Sequence, residues 1–397
     1  MAFNTRRGQG PPSGLSINDR SVSILHRPPP PEKRPPSTVT SLKDSVALRA
    51  GEELNLPALD SYLRQHLPTD SFDSSAALEL EQFPGGHSNL TYLVRYGNHE
   101  FVLRRPPLGP VAPTAHDMPR EYNLLAVVNP HFPLAPRPLL LCQDTNVIGV
   151  PFYLMERRQG LIVRDALPPA LQEDELSRRR LSQEVVDTLA ALHAVNIYTT
   201  DIVRIGKPEG LLRRQVNGWA ERWRRSQTGG VDEMEKIISW LEEEMPAETQ
   251  SGTATIVHND FKLDNLMLAY DDPTRVIAVL DWEMTTVGDP LIDLGMLLTY
   301  WTMRGADDSQ QNRSLTAVTN GPGWLTREEL IARYRAKTGR ELSRIHFYEV
   351  LARFKIGVII QQIYFRYVKG QTQDKRFRNL NVLVAALAND ASRLMRQ

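Results

Sequence analysis

Two short acidic stretches in the second half of the chain combine residues that could carry out phosphoryl transfer. The first holds His258, Asp260 and Asn265, with the asparagine five residues after Asp260, and the second places Asp281 21 residues after Asp260. A carboxylate can orient an attacking hydroxyl group and accept its proton, and carboxylate and amide oxygens are ligands that Mg²⁺ prefers. The spacing therefore predicts Asp260 as a catalytic base, with Asn265 and Asp281 as ligands of a nucleotide-bound Mg²⁺ ion. Because Mg²⁺ disfavours nitrogen ligands, we expect His258 to orient the loop.

A structural interpretation of these residues is the alternative. Loops rich in aspartate commonly cap helices and form turns, so each residue alone would fit such a role. The four residues occur together, however, in the order that the chemistry needs and between helical and strand-like segments. The joint pattern favours the catalytic interpretation.

The elements that must position these residues fall into two parts. Apolar runs bounded by turn residues predict five strands in the first part, at Leu78–Glu81, Thr91–Tyr96, Phe101–Arg104, Pro138–Cys142 and Val150–Met155. Asp117 and Pro119 open a helix between the third and fourth strands. After Glu156 the apolar periodicity is mostly helical, with strand-like pieces at Leu263–Leu268 and Val276–Leu280. The pattern predicts a small antiparallel lobe followed by a mainly helical lobe.

This interpretation of the sequence divides the chain into three parts. Residues 1–50 form a tail rich in Pro and Arg, residues 51–155 a small lobe with a nucleotide-binding sheet, and residues 156–397 a helical lobe with the catalytic loop and an acceptor site. The tail has too few large apolar groups to offset its ordering entropy, so we expect it to be disordered. A mitochondrial presequence is an alternative, which the prolines, Asp19 and Glu32 disfavour.

The overall composition excludes several classes of function. Lys plus Arg equals Asp plus Glu at 47 residues each, so no global field would attract nucleic acid or an anionic membrane. Apolar stretches such as Leu294–Leu298 are far shorter than the ~20 residues that cross a bilayer, and we expect no membrane span. The single cysteine, Cys142, cannot form an internal disulfide. It is expected to be a buried thiol in an intracellular, cytoplasmic protein. The oligomeric state is left open.

Further stretches carry a resemblance to a known family. They are Gly85–Tyr92, Phe101–Pro107, Ala115–Met118, Arg120–Tyr122, Pro151–Glu156, and Gly288–Leu294 through Tyr300–Trp301. With the acidic stretches, they make the chain resemble the aminoglycoside phosphotransferase-like kinases, and within them the phosphotransferase modules related to acyl-CoA dehydrogenase family members ten and eleven. The resemblance spans about Leu78 to Trp301. It implies an α+β, two-lobed, protein-kinase-like fold that uses ATP and Mg²⁺. Asp260 matches the family's catalytic base, and Asn265 and Asp281 match its Mg²⁺ ligands.

The resemblance also implies nucleotide-binding residues in the small lobe. Gly85, Gly86 and Ser88 match the loop that covers the phosphates, where missing side chains let backbone N–H groups approach anionic oxygens. By itself, a Gly-Gly turn would fit a plain hairpin equally well. Met155 and Glu156 match the hinge, where the adenine ring would bond to backbone atoms.

Two positions depart from the usual pattern. Kinases of this fold usually place a lysine on the third strand to hold the phosphates, but here Arg104 aligns best, with Glu121 as its predicted partner. Arginine can bind phosphate with two parallel bonds, although it is longer and planar. Arg105 is the alternative, and strand alternation allows only one of the two to serve. An exposed basic strand end would explain Arg104 without a ligand. The second departure is Asn259, where antibiotic-modifying members commonly have glycine.

Other conspicuous residues are better explained by structure. Asp289 is expected to cap a helix, and by the resemblance Asp293 is expected to brace the catalytic loop. His193 fits a packed helix histidine, and Trp219 and Trp223 fit the core.

The preferred function is a kinase that phosphorylates a hydroxyl group of a small molecule, with hydroxy-acids or hydroxyacyl-CoA thioesters suggested by the resemblance. Five arginines of one predicted helix could bind such an anion or form a solvated face: Arg213, Arg214, Arg222, Arg224 and Arg225. A nucleotide-binding pseudokinase or scaffold is disfavoured by the complete acidic set. An aminoglycoside- or choline-type amino-alcohol kinase would need an acidic surface, for which Glu242–Glu244 is the candidate. A protein kinase is disfavoured because a helix follows Gly288 almost at once, which leaves little room to dock a peptide.

Overall fold

The computed structural model describes residues 44–84, 89–109, 116–164, 166–229, 231–247, 253–302, 318–372 and 374–396. Residues 42–397 belong to one unit. Most of the predicted N-terminal tail, up to residue 43, lies outside the described residues. Of the rest of that tail, Val46 forms an isolated bridge with Gln82.

An antiparallel sheet forms the small lobe. Its strands are β1 (Leu78–Gln82), β2 (Leu90–Tyr96), β3 (His99–Arg105), β4 (Pro138–Cys142) and β5 (Phe152–Glu156), in the order β1-β2-β3-β5-β4. Helices α1 (Leu56–His66) and α2 (Met118–Val128) pack on opposite faces of the sheet, with α3 (Thr145–Ile148) on the side of α1. The alternation of the strands explains the division: Leu103 packs with α1, whereas Val102 packs with α2.

The remainder of the described chain is mainly helical. Its helices are α4 (Pro169–Glu173), α5 (Glu175–His193), α6 (Leu211–Ser226), α7 (Glu233–Glu243), α8 (Leu291–Thr302), α9 (Arg327–Thr338), α10 (Ile345–Val368) and α11 (Leu380–Leu394). Two small antiparallel sheets interrupt them. Strand β7 (Thr255–Val257) pairs with β10 (Thr286–Gly288), and β8 (Leu266–Leu268) lies between β6 (Leu161–Ile162) and β9 (Val276–Val279). The two predicted acidic stretches are therefore the connections that follow β7 and β9.

Helices α8 and α10 approach each other closely at Gly295. A Cβ atom at this position would lie 2.5 Å from the carbonyl oxygen of Tyr348, so a side chain cannot be accommodated without a shift of the backbone. The close approach presses the long helix α10 against α8. The middle of α10 contacts the connection between β7 and β8, where Lys355 bonds to Asn259.

The α+β class and the five predicted strands are confirmed, and so is the burial of Cys142. One strand prediction was too long. Leu263–Asn265 forms a 3₁₀ turn rather than the start of β8, because the Asn265 side chain folds back onto the carbonyl oxygen of Asp260. Within the described ranges, no helix combines the length and apolarity needed to cross a bilayer. The proposed lobe boundary at residue 155 stays a prediction.

Candidate active site

The predicted catalytic loop, residues 258–265, connects β7 to β8, and one carboxylate holds its first residues; we call it the catalytic loop below. Asp293, on the first turn of α8, accepts the backbone N–H groups of His258 and Asn259 at 2.6 Å each. Asp293 also contacts a histidine: its Oδ2 lies 3.3 Å from His193 Nε2. The other ring nitrogen, His193 Nδ1, lies 2.8 Å from the hydroxyl of Tyr334. The bracing role predicted for Asp293 and the packed role predicted for His193 are confirmed.

His258 is fully buried and joins the two acidic stretches. Its Nε2 lies 3.0 Å from the carbonyl oxygen of Leu280, and its Nδ1 accepts the backbone N–H of Asp260 at 3.3 Å. These bonds require a proton on Nε2 and a lone pair on Nδ1, which is the neutral imidazole. Burial lowers the pKa of His258, in agreement with the neutral form. The geometry fits a group that orients the loop.

One residue of each acidic stretch adopts a left-handed backbone conformation. The φ angle is 67° at Asn259 and 64° at Asp281. Such angles cost energy for residues with a Cβ atom, and asparagine and aspartate tolerate them best. The Asn259 side chain also donates to the carbonyl oxygen of Met284 at 3.0 Å. The replacement of a glycine by Asn259 is therefore compatible with the backbone that the loop needs.

The side chains of Asp260 and Asn265 meet directly. Asn265 Nδ2 lies 2.8 Å from the Asp260 carbonyl oxygen and 2.9 Å from its Oδ2. The carbonyl oxygen of Asn265 accepts the N–H of Leu280 at 2.8 Å, which ties the loop to the residue before Asp281. Because its nitrogen is engaged, the amide oxygen of Asn265 is the atom that can face a cation.

Lys262 is a residue of this site that the sequence interpretation missed. Its Nζ lies 3.1 Å from Asp260 Oδ2 and 4.8 Å from the centre of the Tyr300 ring. Burial opposes the charge, but Tyr300, Asp260 and Asp264 together raise the pKa of Lys262. The available signal was its position two residues after the predicted base.

Arg104, on β3, lies among carboxylates. Its guanidinium nitrogens are 3.3 Å from Glu121 Oε1, 3.3 Å from Asp281 Oδ1 and 3.9 Å from Glu283 Oε2. We call these four residues the arginine cluster. Arg105 points away and donates to the Pro106 carbonyl oxygen, so the structure places Arg104, and not Arg105, beside Asp281. Burial and the nearby Asp281 raise the pKa of Glu283 to about 7.

The start of α2 connects the small lobe to the segment after Asp281. Arg120 donates to the carbonyl oxygens of Glu283 at 2.8 Å and Thr285 at 2.6 Å. Asn89 donates to Glu283 Oε2 at 2.9 Å, and its own oxygen lies 2.8 Å from His116 Nδ1. Sequence reasoning did not assign these residues, although Arg120 lies next to the predicted Glu121.

The other residues predicted to contact the nucleotide are only partly described. Gly85, Gly86 and Ser88 lie outside the described residues. Met155 and Glu156 belong to β5 and are paired with neighbouring strands, and the N–H of Glu156 donates to the Arg137 carbonyl oxygen at 2.9 Å. In this arrangement, an adenine ring could not use that N–H as a donor.

The arginine-rich helix is α6, and most of its charges have local partners. Arg214 donates to backbone carbonyls before the helix, Arg224 lies 3.0 Å from Glu235, and Arg225 pairs with Glu221. Arg222 instead lies 4.5 Å above the Trp219 ring. Trp219 and Trp223 are buried, as predicted for core residues.

Asp289 also has the predicted structural position. It accepts the backbone N–H of Leu291 at the start of α8 at 2.9 Å, and its other oxygen accepts the hydroxyl of Tyr348 at 2.6 Å. The capping role predicted for Asp289 is confirmed.

The donor set fits Mg²⁺ bound to a phosphate group. Asn265 and Asp281 supply hard oxygens, while Arg104 Nε is buried and has no hydrogen-bond partner among the described residues. Within that part of the chain, no three His, Cys, Asp or Glu residues form a metal cage of their own. A magnesium ion here would need phosphate oxygens and water for its other positions, as it does in enzymes that bind nucleotides.

Residues 79–330 match the phosphotransferase enzyme family. The chain is 35% identical over 343 residues to mouse acyl-CoA dehydrogenase family member 11, covering 84% of the chain and 42% of that protein. It is 32% identical to mouse acyl-CoA dehydrogenase family member 10, covering 83% of the chain and 30% of that protein. The chain thus spans less than half the length of these curated relatives. A solved structure from Ralstonia eutropha, provisionally named an aminoglycoside phosphotransferase, is 27% identical with a TM-score of 0.73, covering 87% of this chain and 99% of that one.

Proposed function

The chain belongs to the phosphotransferase enzyme family, and on that premise we propose that it transfers the γ-phosphoryl group of ATP to a hydroxyl group of a small molecule. The observation that carries the proposal is the connection between the stretch of Asp260 and Asn265 and the stretch of Asp281. Asn265 bonds directly to Asp260, and through Leu280 the same loop is joined to the residue before Asp281. Phosphoryl transfer needs this set and little else from the protein.

Each residue of the set has a defined task in the proposal. Asp260 orients the acceptor hydroxyl and takes its proton while the acceptor oxygen bonds to the γ-phosphorus and the bond to the β-phosphate oxygen breaks. Lys262 holds the Asp260 carboxylate in place. Asn265 Oδ1 and Asp281 would hold Mg²⁺, and the ion would supply positive charge to neutralise the phosphate oxygens.

The small lobe supplies the phosphate contacts in this proposal. Arg104, kept charged and oriented by Glu121, binds phosphate oxygens, and its buried Nε is available for one more bond. The proposal also assigns Gly85, Gly86 and Ser88 to the phosphates and Met155 and Glu156 to the adenine edge, where backbone atoms other than the engaged N–H of Glu156 would have to bind the ring. Residues 51–155 and 156–397 are accordingly the nucleotide-binding and acceptor-binding lobes.

Local charge favours an anionic acceptor, such as a hydroxy-acid or a hydroxyacyl-CoA thioester. Two cations flank the proposed base: Lys262 lies 3.1 Å from Asp260, and Lys355 donates to the carbonyl oxygen of the preceding residue at 2.5 Å. The Trp219 ring lies 5.6 Å from Lys355 and 4.5 Å from Arg222. Their positive charges would disfavour a cationic aminoglycoside or choline even without direct contact. The acyl-CoA dehydrogenase names of the relatives support the same choice.

A pseudokinase or scaffold is the alternative, and one experiment separates it from a kinase. MgATP turnover is measured against hydroxy-acids, hydroxyacyl-CoA thioesters and amino-alcohols, with the phosphorylated product identified by mass spectrometry. We expect turnover with an anionic acceptor, and none with Asp260→Asn. Turnover that survives this substitution would remove Asp260 as the base. Asp281→Ala should abolish Mg²⁺-dependent nucleotide binding, whereas unchanged binding would remove Asp281 from the site.

A further inference from the structure

Helix α10 carries a lysine in the interior of the helical lobe. Lys355 is 2% exposed, and its Nζ donates to the carbonyl oxygen of Asn259 at 2.5 Å, across 96 positions of sequence. A buried ammonium group costs several kcal/mol of desolvation unless its surroundings compensate for it, so an apolar side chain would fill the space more favourably. Packing alone does not account for a lysine at this point.

The bond from Lys355 acts on the peptide unit that precedes the proposed base. That unit has the carbonyl oxygen of Asn259 at one end and the N–H of Asp260 at the other. Lys355 binds the oxygen, and His258 Nδ1 accepts the N–H at 3.3 Å. The unit before it is held by Asp293 through the N–H of Asn259. The peptide plane between Asn259 and Asp260, which sets the direction of Asp260, is thus held at its carbonyl oxygen and at its N–H group.

The charges around Lys355 come from several elements. Asp260 of the catalytic loop and Asp293 of α8 favour its ammonium form, while Lys262 of the loop and Arg222 of α6 oppose it. Burial is the strongest influence and lowers the pKa of Lys355 to about 8. At pH values below about 8 the ammonium form predominates, and it offers three N–H donors, one of which binds the Asn259 carbonyl oxygen.

We propose that Lys355 is a positioning residue for phosphoryl transfer, which holds the left-handed Asn259 and aims the Asp260 carboxylate at the acceptor hydroxyl. The inference rests on the proposed function of Asp260. Lys355 itself need not touch either substrate. Its loss should therefore lower kcat and leave the KM for ATP nearly unchanged.

The test compares Lys355→Met and Lys355→Arg with a matched control, Gln361→Met. Gln361 is a buried donor on the same helix, which binds the backbone carbonyl of Ser226 at 2.7 Å and does not contact the catalytic loop. We expect Lys355→Met to lower kcat about 100-fold, the effect of an ångström-scale misplacement, with the KM for ATP within threefold. Lys355→Arg, which keeps charged donors, should recover at least a tenth of the wild-type kcat. Gln361→Met should lower the melting temperature with kcat within threefold.

Hydrogen exchange provides a readout that does not depend on activity. Amides of residues 257–265 should exchange faster in Lys355→Met than in Gln361→Met, whether or not an acceptor has been found. Unchanged exchange in this segment, or a kcat within threefold of wild type, overturns the proposal. An equal loss of kcat in Gln361→Met also overturns it, because general destabilisation would then explain the effect. Should the methionine variant not fold, Lys355→Gln is judged by the same readouts. Wild-type protein without MgATP turnover, but with the expected exchange, would overturn the proposed function alone.

Discussion

The catalytic loop and the arginine cluster, the two parts of the candidate site, are held by different kinds of bond. The loop is fixed through its backbone, by Asp293 at 2.6 Å and Lys355 at 2.5 Å. The arginine cluster is held between side chains at 3.3 to 3.9 Å. Short bonds to the backbone allow one conformation, whereas long ion pairs can be exchanged for a new partner. The base side is therefore built in advance, and the phosphate side is where a ligand can rearrange contacts.

Replacing the proposed base in the catalytic loop should have the largest effect on kcat. Asp260→Asn keeps the shape of the side chain but cannot accept the hydroxyl proton, so we expect kcat to fall about 1,000-fold. Binding of MgATP should persist, because the arginine cluster is intact. The control is Asp271→Asn, which alters an exposed carboxylate in the turn between β8 and β9. Steady-state kinetics and nucleotide titration decide the point, and equal kcat values for the two variants would contradict it.

Weakening the bonds from Asp293 to the catalytic loop should have the next largest effect on kcat. Asp293→Asn replaces one acceptor oxygen by a donor that faces a backbone N–H. We expect kcat to fall about 100-fold, because the loop shifts. The free energy of unfolding should fall by about 2 kcal/mol. Kinetics and denaturant unfolding measure the two quantities. A loss of stability with an unchanged kcat would show that the brace does not set the catalytic geometry.

Disrupting the arginine cluster should affect the binding of MgATP more than kcat. Arg104→Met removes the cation beside Asp281 and Glu121, and we expect the Kd for MgATP to rise about 30-fold, as for a hydrogen bond to a charged group. Arg105→Met is the matched control, since Arg105 points to the opposite face and donates to the Pro106 carbonyl oxygen. Its Kd should stay within threefold. Calorimetric titration of both variants checks the prediction, and the reverse order of effects would reassign the phosphate contact to Arg105.

The smallest expected effect concerns pH. The pKa of Lys355 is lowered from 10.5 to about 8 in the folded chain. Between these values the unfolded chain holds a proton that the folded chain has lost, so this group makes the free energy of unfolding rise with pH, and below about pH 8 it adds no slope.

From pH 7 to pH 9 the wild type should therefore gain about 1 kcal/mol relative to Lys355→Met. Denaturant unfolding of both proteins at the two pH values measures this difference. Parallel pH dependence in the two proteins would exclude a depressed pKa at Lys355.

Local spacing was sufficient to predict much of this protein. Apolar alternation predicted the five strands and the helical lobe, because each strand and helix expresses its period within a few residues. The interval from Asp260 to Asn265 predicted two side chains that bond directly in the structure, and the step to Asp281 predicted a residue whose predecessor, Leu280, bonds to Asn265. The resemblance to the phosphotransferase family, carried by short motifs, is confirmed. The roles assigned to these residues stay predictions.

Only the tertiary structure decided which distant residues complete the site. Alternation along β3 did not show whether Arg104 or Arg105 faces the site. The packing of α2 against one face of the sheet decided between them. Lys355 lies in an apolar helix 96 positions after Asn259, and no local pattern marks it as a partner of the loop. Contacts of this kind depend on how α8 and α10 pack at Gly295. A sequence period specifies the buried face of a helix, whereas the residue that this face meets is set by the packing of the whole chain.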